Sequence, residues 1–317
     1  MLFRVCFLLG FLLFFFETDA CINGESRVLK DGTVLFEDYF TMDTGIPKGH
    51  HFETIARNVG PRLLRRFDET RNYEYLSDYG VVLLLQRKYN EARNLYARIE
   101  REAPGRYATA SNLGTVYELM GRNDSALHWI RRAVAINPAS HDSSEWLHVR
   151  ILEAKVAGIA EPTVRQLIGT DFGTMQKPQS ALSGDSIWKL KSALYYQLNE
   201  RLSFIKPQDF IIGQLLFAYG DLEELTGRRE RSREAYEAAA RYGLHDTLLS
   251  ARLAYVASRG EELAQDAAQE TAGTPKARPV LVEGVSHAKE TSALPWAAAG
   301  ALAIAGLSWF AWRRRRS

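Results

Sequence analysis

The chain has 317 residues, 46% apolar and 25% charged, with a formal net charge of +2 at pH 7. These values exclude a disordered or collagen-like polymer and allow one or two folded units with an ordinary core. The arginines at positions 313–316 carry more positive charge than the whole chain nets, so the remainder is close to neutral and presents no general field for nucleic acid.

Residues 5–16, VCFLLGFLLFFF, are an apolar run behind a single Arg4. The run is too short for an ordinary bilayer span and suits the hydrophobic part of a signal peptide. Thr18 and Ala20 are the small residues that flank a cleavage point, which assigns residues 1–20 to the signal and makes Cys21 the first mature residue. Three outcomes stay open there: simple cleavage, an uncleaved anchor, or a lipid-linked Cys21, for which TDAC is a poor motif because Asp19 is charged. The cysteines are Cys6 and Cys21, so the folded part has no pair for an internal disulfide. In the N-terminal segment, residues 21–60, Asp31-Gly32 lies between short β-prone runs and predicts a hairpin with a type I′ turn. An isolated hairpin is marginal in water, so this one must lean on the first helices or on a partner.

Residues 61–157 show a repeat. Leu113, Val116, Tyr117 and Met120 form one apolar helical face, the polar stretch RNDS at 122–125 breaks it, and Ala126, Leu127 and Ile130 begin a second face. The small residues keep register with the preceding unit: Gly80 and Gly114, Ala92 and Ala126, Tyr96 and Ile130, and Pro104 and Pro138 are each 34 apart. Two helices and a turn at a period of 34 resemble the tetratricopeptide repeat (TPR) family. In that family the small residue of each helix lets its partner approach, and Gly80, Gly114, Ala92 and Ala126 fill those places. The resemblance implies an all-α TPR helix-turn-helix solenoid. A capping helix follows, with Ser143 or Ser144 as N-cap and Trp146, Leu147, Val149, Ile151 and Leu152 as its apolar positions.

Residues 158–186 are rich in Gly, Ser, Thr and Pro and predict a long ordered loop, the kind that often carries function. Residues 187–257 are expected to continue the stack, first with a stripe of Ile187, Leu190, Leu194, Leu198 and Leu202 ended by Pro207, then with a degenerate TPR. In that copy Gly220, Gly227, Tyr236 and Ala239 stand where Gly114, Gly121, Ile130 and Ala133 stand, Ser232 replaces the small alanine, and Glu223 falls where Tyr or Leu is expected. Residues 258–293 shift to Ala, Glu, Gln, Thr and Pro and predict a flexible stalk. Residues 294–312, LPWAAAGALAIAGLSWFAW, hold no charge, match a single transmembrane helix in length and place Trp296, Trp309 and Trp312 as interfacial aromatics. The basic tail 313–317 belongs on the cytoplasmic side. With an exported N-terminus, the bulk of the chain is expected outside a bacterial cytoplasmic membrane, periplasmic or extracellular. The same ending also looks like a sorting signal that a transpeptidase removes, although no processing motif precedes Leu294.

The sequence contains no P-loop, GxGxxG, HExxH, CxxC or GxSxG, so no enzyme and no cofactor is expected. GTDFG at 169–173 has a faint likeness to the kinase DFG without the rest of that signature, and Asp171 is expected to shape a turn. His50-His51 with Glu53, and His141, Glu145 and His148, lack the further ligand and second shell of a metal site. What remains is a binding surface. By the resemblance the first helices of each repeat line a concave face, which here places Ser77, Val81, Leu84, Leu85, Ser111, Asn112, Thr115, Glu118, Asp142, Glu145 and Glu153 as candidate protein-binding residues. Val81, Leu84 and Leu85 have an equal claim to be core beneath the helix holding Ile55, Val59, Leu63, Leu64 and Phe67. The chaperone-binding subset of the family holds a C-terminal carboxylate in a basic clamp, whereas Ser77, Val81 and Asp142 occupy those positions here, with Asn112 near one. An acidic tail is therefore disfavoured, and the carboxylates fit a basic, partly apolar protein or peptide. The expected role is a membrane-tethered scaffold, with no nucleic acid. Two alternatives remain: a tail-anchored adaptor resembling the mitochondrial fission adaptor, which the export signal argues against, and a hydrolase built on loop 158–186.

Overall fold

The computed structural model describes residues 26–38 and 41–259. The expected signal peptide 1–20, nearly all of the expected stalk, the expected span 294–312 and the basic tail lie outside the described residues. Among the described residues no helix is long and apolar enough to cross a membrane.

β1 (Ser26–Val28) and β2 (Val34–Glu37) pair antiparallel. The turn differs from the type I′ expectation, which needs positive φ at both central residues. Only Gly32 in this loop has positive φ (87°), and its N–H donates to the Leu29 carbonyl at 2.8 Å while Leu29 N–H donates to Thr33 O at 2.8 Å. The strands are separated by five residues rather than the two of a type I′ turn, and the Asp31 carboxylate accepts from Thr33 N–H at 3.1 Å and from Arg62 Nε at 2.6 Å. The result is a five-residue loop whose left-handed position falls on Gly32. The hairpin leans on the helices, as a lone hairpin must. Leu29, Leu35 and Phe36 are buried, Arg27 Nη2 donates to Asp78 at 3.2 Å, and Lys30 N–H donates to the same carboxylate at 2.6 Å. Burial pushes the Asp78 carboxyl up to about 6.

Helix pairs follow. α1 (Val59–Thr70) packs on α2 (Tyr73–Leu85), α2 on α3 (Tyr89–Glu102), and α4 (Tyr107–Leu119) on α5 (Asn123–Ile136). Further on, α10 (Phe210–Leu225) pairs with α11 (Arg229–Arg241), and α12 spans residues 247–259. The predicted small residues sit at the seams. A Cβ on Gly80 would collide with the Tyr96 ring, one on Gly114 with the Ile130 side chain, and one on Gly220 with the Tyr236 ring. Ala92, Ala126 and Ser232 are fully buried at the corresponding places of the second helices. The turns repeat as well: Lys88, Arg122 and Arg228 N–H donate to the carbonyls of Leu83, Tyr117 and Glu223 at 2.9, 2.8 and 2.8 Å. This six-residue closure needs a left-handed residue, supplied by Arg87, Gly121 and Gly227.

Between these blocks, α6 (Ser140–Ser143) is a left-handed turn, with His141, Asp142 and Ser143 at φ 54°, 52° and 57°. α7 (Glu145–Val156) begins after Ser144, which stands at the N-cap but does not cap with its side chain. The segment 158–186 is ordered around α8 (Val164–Ile168), opened by a Thr163–Gln166 capping box. Leu167, Ile168 and Phe172 are buried, and Arg252 of α12 donates to the carbonyls of Phe172 and Gly173 at 3.1 Å each, and to that of Met175. Asp171 does shape a turn, accepting from Gly173 N–H at 3.2 Å. α9 (Gly184–Phe204) then carries the expected stripe: Leu194, Leu198 and Leu202 join the core that includes Leu216, Tyr219 and Tyr236. A second core holds Leu35, Leu63, Leu76, Tyr96 and Leu113, and Phe204 at the end of α9 packs against it.

Candidate protein-binding groove

The inner faces of α2, α4 and α7 converge on a cavity of about 60 Å³, which has room for water but not for a peptide. Leu84, Ser111, Asn112, Thr115, Glu118 and Glu145 line it, so the structure brings these six predicted residues together. The others are elsewhere. Ser77 and Val81 are buried in the α2 seam, where the Ser77 carbonyl accepts from Tyr96 Oη at 2.9 Å, and Leu85 is half-buried. Asp142 is exposed on the left-handed turn, where Ser192 of α9 donates to it. Glu153 pairs with Arg131 of α5 at 2.8 Å. Val81 and Leu84, at 0% and 1% exposure, have no surface to offer a partner in this arrangement.

The carboxylates of the groove are held by the chain itself. Glu118 accepts from Lys155 Nζ at 2.7 Å, from Arg201 Nη1 at 2.9 Å and from His148 Nε2 at 2.7 Å. His148 Nδ1 lies 3.6 Å from Glu145, whose other oxygen meets His141 Nδ1. His141 Nε2 is 3.0 Å from Tyr107 Oη, and its ring stacks on Tyr196. Burial opposes ionisation of Glu118, yet Arg201, His148 and Lys155 together hold it well below the usual carboxylate range. Glu145 is likewise held low against burial by His141 and His148. Burial pulls His148 down and Arg201 repels its proton, but Glu118 and Glu145 outweigh both and its pKa is raised.

The sequence shows Glu118 and Glu145 and groups His141 and His148 with Glu145, but it does not show Lys155 or Arg201 as partners of Glu118. Gln197, Glu200, Arg201, Phe204 and Ile205 of the α9 end also line the cavity. Gln197 Nε2 donates to Ser144 Oγ at 3.0 Å. Their i, i+4, i+7 spacing (Gln197, Arg201, Phe204) was the available signal, hidden because a polar helix face ordinarily meets solvent. α9 thus covers the inner face in addition to continuing toward α10.

His50 forms a second buried cluster. Its ring stacks on Phe36 at 4.0 Å, Nδ1 lies 2.7 Å from Asp38 and Nε2 3.4 Å from Glu200. Burial disfavours its charge, but Glu200 and Asp38 raise its pKa. His51 is exposed, and Glu53 uses its backbone N–H to reach Leu35 O at 2.7 Å. Among the described residues no group of three or more His, Cys, Asp or Glu side chains is disposed to hold a metal ion.

Residues 109–140, within α4, α5 and the turn that follows, match the family model for the tetratricopeptide repeat. The solved structures similar to this chain include a thermophilic TPR protein of Thermus thermophilus, with 15% identity, a TM-score of 0.30 and coverage of 62% of this chain and 88% of that one. A tetratricopeptide repeat protein of Parabacteroides merdae has 12% identity, a TM-score of 0.29 and coverage of 62% and 90%. No curated protein matches the chain.

Proposed function

We propose that this protein is a non-catalytic TPR scaffold, exported and tethered by residues 294–312 to the outer side of a bacterial cytoplasmic membrane, where it holds a basic, partly apolar protein segment. The observation that carries the scaffold reading is the recurrence of one seam, Gly80 on Tyr96, Gly114 on Ile130 and Gly220 on Tyr236, together with the repeat match at 109–140. A stack of helix pairs joined in this way offers an inner face built from the first helix of each pair. Glu118 and Glu145 lie on that face, and a basic partner reaches them by taking the places of the cations that now hold them. The tether rests on the uncharged run of residues 294–312 followed by four arginines, and export on residues 5–20.

Membrane fractionation tests the tether. Alkaline extraction is expected to leave the full chain in the pellet and to release a chain ending at Thr291. Release of both would remove the anchor. Protease added to intact spheroplasts is expected to digest residues 26–259, and their protection would reverse the orientation.

A further inference from the structure

Away from the inner face, the start of α9 meets the left-handed turn of α6, the first turn of α7 and the end of α8 around an open groove of about 710 Å³. Its size is that of a small-ligand site. Two tryptophans that a core would bury stand on it, Trp146 of α7 at 36% exposure and Trp188 of α9 at 39%. The Trp188 indole is fixed by two cations, with Lys191 Nζ 4.8 Å and the Arg228 guanidinium 5.6 Å from its ring centre. Asp142 and Ser143 reach the groove from a backbone that crowds their Cβ atoms, since both, with His141 before them, have positive φ. The turn is held there by the His141 ring, which lies against Tyr107 and Tyr196, and by Ser192, which donates to Asp142. Strain that neighbours hold in this way concentrates at binding sites.

The charges decide what kind of ligand the groove takes. Asp142 and Lys189 line it together, so charge favours neither an anion nor a cation, and a further cation at Trp188 would face Lys191 and Arg228. A neutral molecule rich in hydroxyls finds an acceptor in Asp142, donors in Lys189 and both in Ser143. The C–H face of a sugar ring carries the partial positive charge that an indole face attracts. Ile168 of α8 and Ala193 of α9 add apolar surface suited to a methyl group, which a plain hexose lacks.

We propose that this groove binds a neutral glycan of the N-acetylhexosamine class. One sugar ring stacks on Trp146, its hydroxyls meet Asp142, Ser143 and Lys189, and its acetamido methyl lies on Ile168 and Ala193. Trp188 offers a second stacking position, so the site takes an oligosaccharide in preference to a single sugar. No residue that lines the inner-face cavity takes part, and the inference assumes neither the scaffold reading nor the membrane tether.

The test is calorimetric titration of the purified full-length chain with chitotriose, the trimer of N-acetylglucosamine, with maltotriose and choline as comparisons. Chitotriose is expected to bind, and the other two to bind roughly tenfold more weakly or less. Trp146→Ala is expected to lower the chitotriose affinity roughly tenfold, and Asp142→Asn, which keeps an acceptor for Ser192, about threefold. Saturation-transfer NMR is expected to give its strongest signal at the acetyl methyl. Absence of chitotriose binding at millimolar concentration overturns the proposal, as does equal affinity of Trp146→Ala and the parent. Tighter binding of choline overturns it in favour of an aromatic cage for a cation, and equal binding of maltotriose overturns the acetamido assignment. A dimer of the parent that Trp146→Ala dissociates, without sugar binding, gives the groove to a second copy instead. If Trp146→Ala does not fold, Asp142→Asn decides, and an unchanged affinity there overturns the proposal.

Discussion

In the α4–α5 pair the bulky side chain against the seam glycine is Ile130, and in the α10–α11 pair it is Tyr236, whose hydroxyl donates to Asp221 at 2.7 Å. The positions around the two seams have diverged further. Three residues past Gly114 stands Tyr117, and three past Gly220 stands Glu223, fully buried with Lys191 of α9 at 2.7 Å. One residue past Gly114 is Thr115, and one past Gly220 is Asp221, 2.9 Å from Arg252 of α12. Burial pushes the Asp221 carboxyl up to about 6, against Arg252 and Tyr236. The comparison separates what the helix pair requires from what its neighbours permit. The close approach tolerates only glycine, so it persists. The flanking positions change to acids where α9 and α12 bring a cation.

The largest effect is expected where that permission is withdrawn. Lys191→Met leaves Glu223 buried without its cation and should cost about 3–5 kcal/mol, whereas Lys191→Met with Glu223→Leu should recover most of the loss. Denaturant midpoints of the two variants and the parent check this. A double variant no better than the single one would mean that Glu223 does more than answer Lys191.

Next in size is the seam itself. Gly114→Val and Gly220→Val each place a branched side chain on Ile130 or Tyr236 and should cost about 1–3 kcal/mol or more. The second site distinguishes strain from lost backbone freedom: Ile130→Ala should relieve Gly114→Val, and Tyr236→Ala should relieve Gly220→Val. Unchanged midpoints for the glycine variants would show that the helices do not need this approach.

These two seams also show what the chain made legible. The α2–α5 region was readable because steric need fixes residue type at a fixed interval, and the same need identified Gly220 and Tyr236 despite the acids around them. The stripe of α9 was readable for the same reason. Its other face was not, because Gln197 and Arg201 are ordinary surface residues until Ser144 and Glu118 are brought to them from more than fifty residues away. The groove was therefore half visible: Glu145 with His141 and His148, and Glu118 without Arg201. The hairpin turn differs in length: Asp31-Gly32 is a good type I′ pair, but the strands stop at Val28 and resume at Val34, leaving a five-residue loop.

pH offers a third way to separate the regions. His148 has a raised pKa in the folded chain, so its protonation contributes stability that is complete below its unfolded value and is lost as pH rises through the folded one. Midpoints measured upward from pH 6 should decline, and His148→Gln should remove part of that slope. Glu118, held low, acts at the other end, with stability lost as pH falls below its unfolded value of about 4.5. A parent and a His148→Gln variant with parallel pH profiles would place no titration at this groove.

The smallest effect concerns the turns. Gly121 and Gly227 supply the left-handed residue after α4 and α10, but after α2 the same position, with the same hydrogen-bond closure, is Arg87 at φ 59°. A side chain in this region places its Cβ against the following carbonyl, a cost that glycine escapes at the expense of a more flexible unfolded chain. The two terms oppose each other, and the steric one is the larger for a long unbranched residue at a helix end. Arg87 is exposed, so little packing is given up on its removal. Arg87→Gly is therefore expected to raise stability by about 0.5–1 kcal/mol, and Gly121→Arg to lower it by a similar amount. If both substitutions lower the midpoint, Arg87 makes a contact that its exposure conceals, and the first turn differs from the other two in more than its residue.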